Sequence, residues 1–266
     1  MIAAVDYNWP VLLFSKSVLK QEKFKQITTF LGETHGLQCL DIGSDNGVIS
    51  YLLRARGGIW KSADLDEQAV RSIRELVKQG VVQIDGRQTP FQDDEFDRVV
   101  IVDFLEHIRT DKEFIHELFR IMKPGGELII NVPHIKSSFL RKFRLFMGQN
   151  DEKHGHLRPG YTVADLTALV QDKFTIIDSK TYSKFFSECI DTWVTLVLEF
   201  LKKGKKKSRK GLLLVEEDLH RYEKIFRVYS MIYPAFWSFA KLDKLLFKCT
   251  GYMLIAKARI NNKSCI

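Results

Sequence analysis

The chain has 266 residues, of which 45% are hydrophobic and 28% are charged, proportions that are ordinary for a globular protein. Its net charge is +8, but one run between Lys202 and Lys210 holds seven Lys or Arg residues, so the rest of the chain is nearly neutral. This distribution argues against a broad nucleic-acid-binding face and for one local basic patch.

Cysteine usage and hydropathy indicate the compartment. The four cysteines, which show no paired or metal-like spacing, are Cys39, Cys189, Cys249 and Cys265. We expect reduced thiols in a reducing compartment. No secretory signal pattern is visible, and the thirteen uncharged residues between Arg227 and Lys241 are fewer than the roughly 20 that a membrane span needs. We therefore expect a cytoplasmic protein.

Apolar residues at helical spacing predict a helix over residues 11–31, which Gly32 and Gly36 end. Short apolar runs then alternate with amphipathic stretches. The predicted strands cover residues 37–42, 59–63, 81–84, 98–102, 127–132, 174–178 and 252–260. The predicted helices cover residues 47–55, 67–78, 111–122 and a stretch that begins near Thr162. We interpret the segment from Val132 to Gly160 as a polar loop.

This alternation predicts βαβ units in an α/β fold with a doubly wound, Rossmann-like, mostly parallel sheet of seven strands. About 70 residues between the last two strands are aromatic and amphipathic, which predicts a helical insertion. We divide the chain into an N-terminal helical segment (1–36), a sheet domain (37–184 and 251–262) and the insertion (185–250).

A glycine turn follows the first predicted strand. Gly43 permits a tight turn, and Gly47 lets the next helix start close to the sheet. Asp64 comes 21 residues after Gly43 at the end of the second strand, where a carboxylate can accept hydrogen bonds from ribose hydroxyls. By itself this pattern also fits an NAD-dependent dehydrogenase or a purely structural turn.

Four further motifs follow in order along the chain. They are Asp85 before Thr89-Pro90-Phe91, then Phe96-Asp97, then Asp103 before Leu105-Glu106-His107, and finally Lys123-Pro124-Gly125-Gly126. With the glycine turn they closely resemble, over residues 37–133, the class I methyltransferase family that includes the ubiquinone and menaquinone biosynthesis enzymes. The resemblance implies S-adenosylmethionine as cofactor and an antiparallel last strand.

The resemblance also implies roles for single residues around the cofactor. Asp41 and Gly43 would line its methionine end, and Gly47 would close the turn. Asp64 would contact its ribose, and Leu65 would pack on the face of its adenine. Asp85 and Gly86 would lie at the edge of the adenine, and Asp103 would lie near the sulfonium. The family usually has glycine where this chain has Asp45. The Asp45 carboxylate therefore turns either outward or toward the ammonium group of the cofactor.

Transfer of a methyl group to oxygen needs a base, and histidine is the usual one near neutral pH. The candidates are His107, His134, His154 and His156. His154 and His156 lie in a loop that could close over the site, whereas each of the four could also serve only to brace a loop. Two histidines without a third ligand make a weak metal site, so we predict no metal.

The insertion has two interpretations. It could lie at a membrane surface, with the run from Lys202 to Lys210 on anionic lipid and the protein peripheral to the membrane. It could equally be a lid or a dimer subdomain on a second subunit. Nucleic acid fits less well, because its sites typically spread lysines and arginines among stacking aromatic residues.

Together these features predict an enzyme that transfers a methyl group from S-adenosylmethionine. The expected acceptor is an oxygen of a hydrophobic, lipid-linked or glycan-type small molecule. Two alternatives stay open. One is an RNA or protein methyltransferase that holds its substrate with the basic run. The other is a non-catalytic binding protein whose turn at Asp45 has lost the cofactor.

Overall fold

The computed structural model describes residues 9–136, 139–147, 156–201 and 223–263. Within these ranges the strands are β1 (Gln38–Ile42), β2 (Ile59–Asp64), β3 (Val81–Gln83), β4 (Phe96–Val102), β5 (Met122–Pro133), β6 (Phe174–Tyr182) and β7 (Met253–Ile260). The helices are α1 (Trp9–Ser15), α2 (Val18–Leu31), α3 (Val48–Arg54), α4 (Glu67–Val77), α5 (Asp111–Ile121), α6 (Phe139–Phe146), α7 (Val163–Val170), α8 (Phe185–Leu201) and α9 (Glu223–Lys241). Two 3₁₀ helices cover Leu105–His107 and Leu242–Leu245.

The seven described strands form one sheet in the order β3-β2-β1-β4-β5-β7-β6. Strands β1 to β5 pair in parallel, whereas β7 pairs antiparallel with both β5 and β6. The predicted fold class and antiparallel last strand are therefore confirmed. The strand order reverses between β1 and β4, and ligands of such sheets bind at the carboxyl ends of the strands beside that reversal.

Helices cover both faces of the sheet, which is why its central strands read as unbroken apolar runs. Successive residues of β4 point to opposite faces because the side-chain period of a strand is two. Val99 and Ile101 join a core cluster with Phe114 of α5. Val100 and Val102 join a second cluster on the other face, with apolar residues of α2 and α3. This double burial fixes the position of the β4 carboxyl end.

Two predicted segments differ in the structure. The single helix predicted over residues 11–31 is two helices, because the Ser17 hydroxyl accepts a hydrogen bond from the Lys20 amide at 3.3 Å and caps a new helix there. The predicted polar loop after β5 contains α6. The apolar residues of α6 recur at helical spacing between Arg and Lys residues, and this short amphipathic pattern favours a helix over a loop.

The insertion is helical where it is described, in α8, α9 and the second 3₁₀ helix. Helix α9 contacts the N-terminal segment, since the Tyr229 hydroxyl donates to the Lys16 carbonyl at 2.7 Å and Gln21 donates to the Tyr233 hydroxyl at 2.8 Å. The run from Lys202 to Lys210 and His154 lie outside the described residues. Among the helices that the model describes, none is both long and apolar enough to cross a membrane.

Candidate functional site

A cavity of about 200 Å³ opens at the carboxyl ends of β1 and β4, beside the reversal in strand order. Its walls come from α2, the glycine turn, the start of α3, the end of β4, the first 3₁₀ helix and the loop before α7. The lining residues are Lys20, Lys23, Gly43, Ser44, Asp45, Asn46, Val48, Ile49, Val102, Asp103, His107 and His156. The cavity therefore combines two lysines, two carboxylates and two imidazoles.

The glycine turn packs too closely for side chains at its two ends. Gly43 has a φ of +91°, and a Cβ atom there would lie 2.2 Å from the Val102 carbonyl oxygen. At Gly47, where φ is +80°, a Cβ would lie 2.7 Å from the Ile73 Cα. Both positions require glycine for their backbone conformation and for the space available. The turn is thereby held against β4 and α4, with Gly43 in the cavity wall.

Asp41 lies beneath this turn and is fully buried. Its carboxylate accepts hydrogen bonds from the hydroxyls of Ser44 at 2.5 Å, Ser50 at 2.5 Å and Ser62 at 2.7 Å, and it pairs with Arg54 at 3.5 Å. Asp41 does not line the cavity. The structure thus places it as an anchor of the turn, whereas the resemblance implied a place at the methionine end.

Asp45 adopts the left-handed backbone conformation, with φ at +57°. Aspartate tolerates this region better than most residues, which explains how it occupies a position where the family has glycine. Asp45 lines the cavity together with Lys20. Burial lowers the pKa of Lys20, and the negative charge of Asp45 partly offsets that effect.

Asp103 directly follows β4 and also adopts a left-handed conformation, with φ at +45°. Its carboxylate pairs with Lys23 of α2 and accepts a hydrogen bond from the Asn131 amide at 2.9 Å. Asn131 in turn accepts one from the Tyr182 hydroxyl at 2.5 Å. Burial lowers the pKa of Lys23, but the Asp103 carboxylate outweighs it, so the pKa is raised overall. This wall of the cavity carries a charged pair that β5 and β6 hold in place.

Two of the predicted histidines meet at the cavity. The rings of His107 and His156 are edge to face, with their centroids 4.9 Å apart. Buried Glu106 brings a carboxylate oxygen within 4.8 Å of a nitrogen of each ring. Such a set has the chemistry of a divalent-metal site. Spacing along the sequence does not reveal this cluster, because His156 is about 50 residues from Glu106 and His107.

The loop that carries His156 is docked by several contacts. The Leu157 amide donates to the Glu106 carbonyl at 2.8 Å, and Arg158 pairs with the Asp111 carboxylate. The Tyr161 hydroxyl donates to the Leu105 carbonyl at 3.2 Å and to Asp111 at 3.1 Å. These contacts place His156 at the cavity.

Gly160 lets this loop approach β5. Its φ is +126°, and a Cβ atom there would lie 2.3 Å from the Pro133 carbonyl oxygen. The amide of Tyr161 donates to that same carbonyl at 2.9 Å. No other residue could therefore stand at position 160 without moving the loop that carries His156.

The other predicted residues lie around the cavity rather than in its lining. The Nδ1 atom of His134 is 2.9 Å from the Gly251 carbonyl oxygen, beyond the end of β5. Asp64 is fully buried at the end of β2. It lies next to the glycine turn, since the Gly43 amide donates a hydrogen bond to the carbonyl of the neighbouring residue Ala63 at 3.0 Å. A Cβ atom at Gly86 would contact Leu65 at 3.2 Å, so those two predicted residues adjoin.

Asp85 holds a tight turn. Its carboxylate accepts hydrogen bonds from the amides of Arg87 at 2.8 Å and Gln88 at 3.0 Å, and these two bonds lower its pKa. Since the side chain is exposed, its role at the adenine edge stays a prediction.

Lys20 and Lys23 also line the cavity, although no sequence motif predicted them as site residues. They are three residues apart on α2 and share a helix face with buried Ile27, four residues further on. This register of two lysines with a buried apolar residue is the sequence feature that could have indicated that they point toward the site. It is a weak one, since Lys side chains often extend along apolar surfaces toward solvent.

The comparisons bear on the same region of the chain. Residues 40–130 match the family model described as a methyltransferase domain. The chain is 31% identical over 99 residues to a demethylmenaquinone methyltransferase of Clavibacter sepedonicus, with 36% of this chain and 40% of the relative covered. It is 28% identical over 107 residues to a ubiquinone biosynthesis O-methyltransferase of Alkalilimnicola ehrlichii, with 38% and 43% covered. The chain thus spans less than half the length of these relatives.

Solved structures share the fold over most of the chain. An S-adenosylmethionine-dependent methyltransferase from Mesorhizobium loti has a TM-score of 0.53 at 14% identity, covering 88% of this chain and 96% of its own. The [4+2]-cyclase SpnF has a TM-score of 0.57 at 16% identity, covering 90% and 80%. At such identities the likeness shows the fold alone. The domain match confirms the family resemblance that the five motifs predicted.

Proposed function

We propose that this chain, whose residues 40–130 match a methyltransferase domain, is an S-adenosylmethionine-dependent methyltransferase acting on an oxygen of a hydrophobic small molecule. One observation carries the proposal. The cavity beside the strand reversal joins a glycine turn, groups of both charges and two imidazoles. Among the relatives, the one named a ubiquinone biosynthesis O-methyltransferase supports an oxygen acceptor.

The residues present fit the cofactor. Its methionine end carries one carboxylate and one ammonium group, and the cavity offers both complements, since Lys20 can pair with the former and Asp45 with the latter. At Gly43 the backbone itself forms the wall, so a ligand can approach it without a side chain between them. Asp64 would accept hydrogen bonds from the ribose, and Leu65 would pack on the adenine.

When bound, S-adenosylmethionine supplies a methyl group that is already activated by its sulfonium. The chain then has two tasks, which are to align the acceptor and to take up its proton. The imidazoles of His107 and His156 both line the cavity and can accept that proton near neutral pH. The ion pair of Lys23 and Asp103 also lines the cavity, where it would orient the acceptor hydroxyl.

The decisive experiment follows the fate of a labelled methyl group. The purified chain is incubated with methyl-labelled S-adenosylmethionine and a bacterial cell extract, which is then divided into organic-soluble, RNA and protein fractions. We expect label in the organic-soluble fraction. Label in RNA or protein would instead establish the first alternative. Failure of calorimetry to detect S-adenosylhomocysteine binding at millimolar ligand would establish the non-catalytic one.

Replacement of both histidines tests their role as bases. We expect His107→Gln with His156→Gln to slow transfer roughly 100-fold or more, the usual contribution of a positioned base. The affinity for S-adenosylhomocysteine should stay within a few fold. His116→Gln, an exposed histidine of α5, is the matched control and should leave the rate unchanged. A double variant as fast as the wild type would exclude both residues as bases.

A further inference from the structure

A short exposed segment at the end of α9 combines apolar and basic side chains. We call residues 241–248 the basic tip. Its Leu245 and Phe247 side chains are 71% and 78% exposed, values that are unusual for large apolar residues. Lys241, Lys244 and Lys248 are exposed beside them. The segment thus presents apolar groups and ammonium groups to the same surroundings.

The one acidic residue of the basic tip is directed inward. The Asp243 carboxylate accepts hydrogen bonds from the amides of Lys184 at 2.7 Å, Phe186 at 2.8 Å and Ser187 at 3.3 Å, at the start of α8. The Lys184 ammonium donates to the Leu246 carbonyl at 2.6 Å. These bonds fix the tip to the body of the protein. They also withdraw its only negative charge from the exposed side.

Two lysines of the basic tip lie against aromatic rings. The Lys241 ammonium lies 3.1 Å from the centroid of the Trp237 ring, and that of Lys248 lies 5.8 Å from the Phe247 ring. An aromatic ring that carries an ammonium group over its face presents an apolar and a charged group together, which suits the boundary between acyl chains and headgroups. Met231 on the same helix is also 73% exposed.

Charge decides between the candidate partners of this surface. In a symmetric dimer the same patch meets itself, so the three lysines of one copy would face the three of the other. Like charges in that arrangement oppose association. A bilayer that contains anionic lipid instead supplies negative headgroups for the lysines and an apolar layer for Leu245 and Phe247.

We propose that the basic tip docks this protein on an anionic membrane surface, with Leu245 and Phe247 entering the headgroup boundary and the lysines on lipid phosphates. The proposal rests on the surface alone and not on the proposed function. The tip also leads directly into Gly251, whose carbonyl oxygen is 2.9 Å from His134 at the end of β5. A docked tip would therefore hold the carboxyl edge of the sheet near the bilayer.

The test is sedimentation of the full chain with vesicles of phosphatidylcholine and phosphatidylglycerol at three to one, and with vesicles of phosphatidylcholine alone. We expect binding to the first and not to the second. Lys244→Gln with Lys248→Gln should weaken binding about 30-fold, from about 1 kcal/mol for each lysine near the surface. Leu245→Ser with Phe247→Ser should weaken it at least as much.

Matched controls separate the tip from general surface effects. Lys78→Gln with Lys112→Gln removes the same charge from exposed sites, and Ile59→Ser with Ile177→Ser removes apolar groups that are 55% and 46% exposed. Both should bind like the wild type. Thermal unfolding of every variant checks folding.

Three outcomes would overturn the proposal. In the first, the wild type does not sediment with anionic vesicles. In the second, binding survives both tip variants and is lost only when the lysines between 202 and 210 are replaced. In the third, light scattering shows a dimer that Leu245→Ser with Phe247→Ser abolishes, while vesicle binding is unchanged.

Discussion

Single residues at the site are fixed by backbone conformation as much as by chemistry. Asp45 and Asp103 both occupy the left-handed region, and both line the cavity. Residues held in such sparsely populated conformations tend to cluster at functional sites, because the surrounding structure must hold them there. Asp45 thereby keeps the backbone turn that glycine makes in the family while adding a negative charge beside Lys20.

The charge at position 45 can be tested without changing its shape. We expect Asp45→Asn to weaken S-adenosylhomocysteine binding roughly tenfold, as the loss of one charged hydrogen bond implies, and to leave the thermal midpoint nearly unchanged. Calorimetry measures the affinity. Asp94→Asn is the matched control, since Asp94 has a φ of +52° but lies outside the cavity lining. Unchanged affinity in Asp45→Asn would limit Asp45 to a structural role in the turn.

At the scale of elements, the loop before α7 completes the site. It reaches the cavity because Arg158 pairs with Asp111 at the start of α5 and Gly160 approaches Pro133 at the end of β5. Helix α2 adds Lys20 and Lys23 to the cavity lining. Elements far apart in the sequence therefore supply the lysines and the imidazole of His156, whereas the glycine turn forms a wall of the cavity with its backbone.

Loss of the Arg158 ion pair should release this loop. We expect Arg158→Met to speed hydrogen exchange at the amides of Leu157 and Tyr161 at least tenfold, because both are bonded across the docked interface. Hydrogen-exchange mass spectrometry measures this. Arg87→Met is the control, since its 3.8 Å pair with Glu113 on α5 is largely exposed. If exchange at the two amides is as slow as in the wild type, the other loop contacts suffice for docking.

At the scale of the whole molecule, a buried charge network ties the sheet together away from the cavity. The Glu127 carboxylate on β5 pairs with Arg98 at 3.1 Å, Lys257 at 2.8 Å and Arg259 at 3.0 Å, which join β4, β5 and β7. Burial raises the pKa of Glu127, but these cations outweigh it, so the pKa lies below its usual range. The network stabilises the strand that separates the parallel and antiparallel parts of the sheet.

Glu127→Gln should lower the free energy of unfolding at pH 7 by about 1–3 kcal/mol, since it leaves the partly buried cations of Arg98 and Lys257 without their partner. Because the pKa is lowered by folding, this contribution is present above the ordinary value of 4.5 and is lost as the pH falls through the folded pKa. Urea unfolding at pH 7 and at a pH below the folded pKa of Glu127 measures this contribution. The difference between wild type and variant should therefore shrink toward acid.

The exposed pair of Glu67 and Arg71 provides the control, and Glu67→Gln should cost less than about 0.5 kcal/mol. A difference between wild type and Glu127→Gln that stays constant as the pH falls would show that packing, and not charge, accounts for the loss. Cofactor affinity should not change, because Glu127 lies six residues before the carboxyl end of β5 and does not line the cavity.

The sequence by itself determined the local features of this protein. Short apolar runs and helical patterns located the strands and most helices, and five motifs in order predicted the match of residues 40–130 to a methyltransferase domain, because each depends on residues that are close in the chain. Only the tertiary structure decided which side chains meet. It brought Lys20, Lys23, Asp103 and His156 into one cavity and directed Asp41 and Asp243 inward. Such juxtapositions depend on how distant elements pack, and no local spacing in the sequence encodes them.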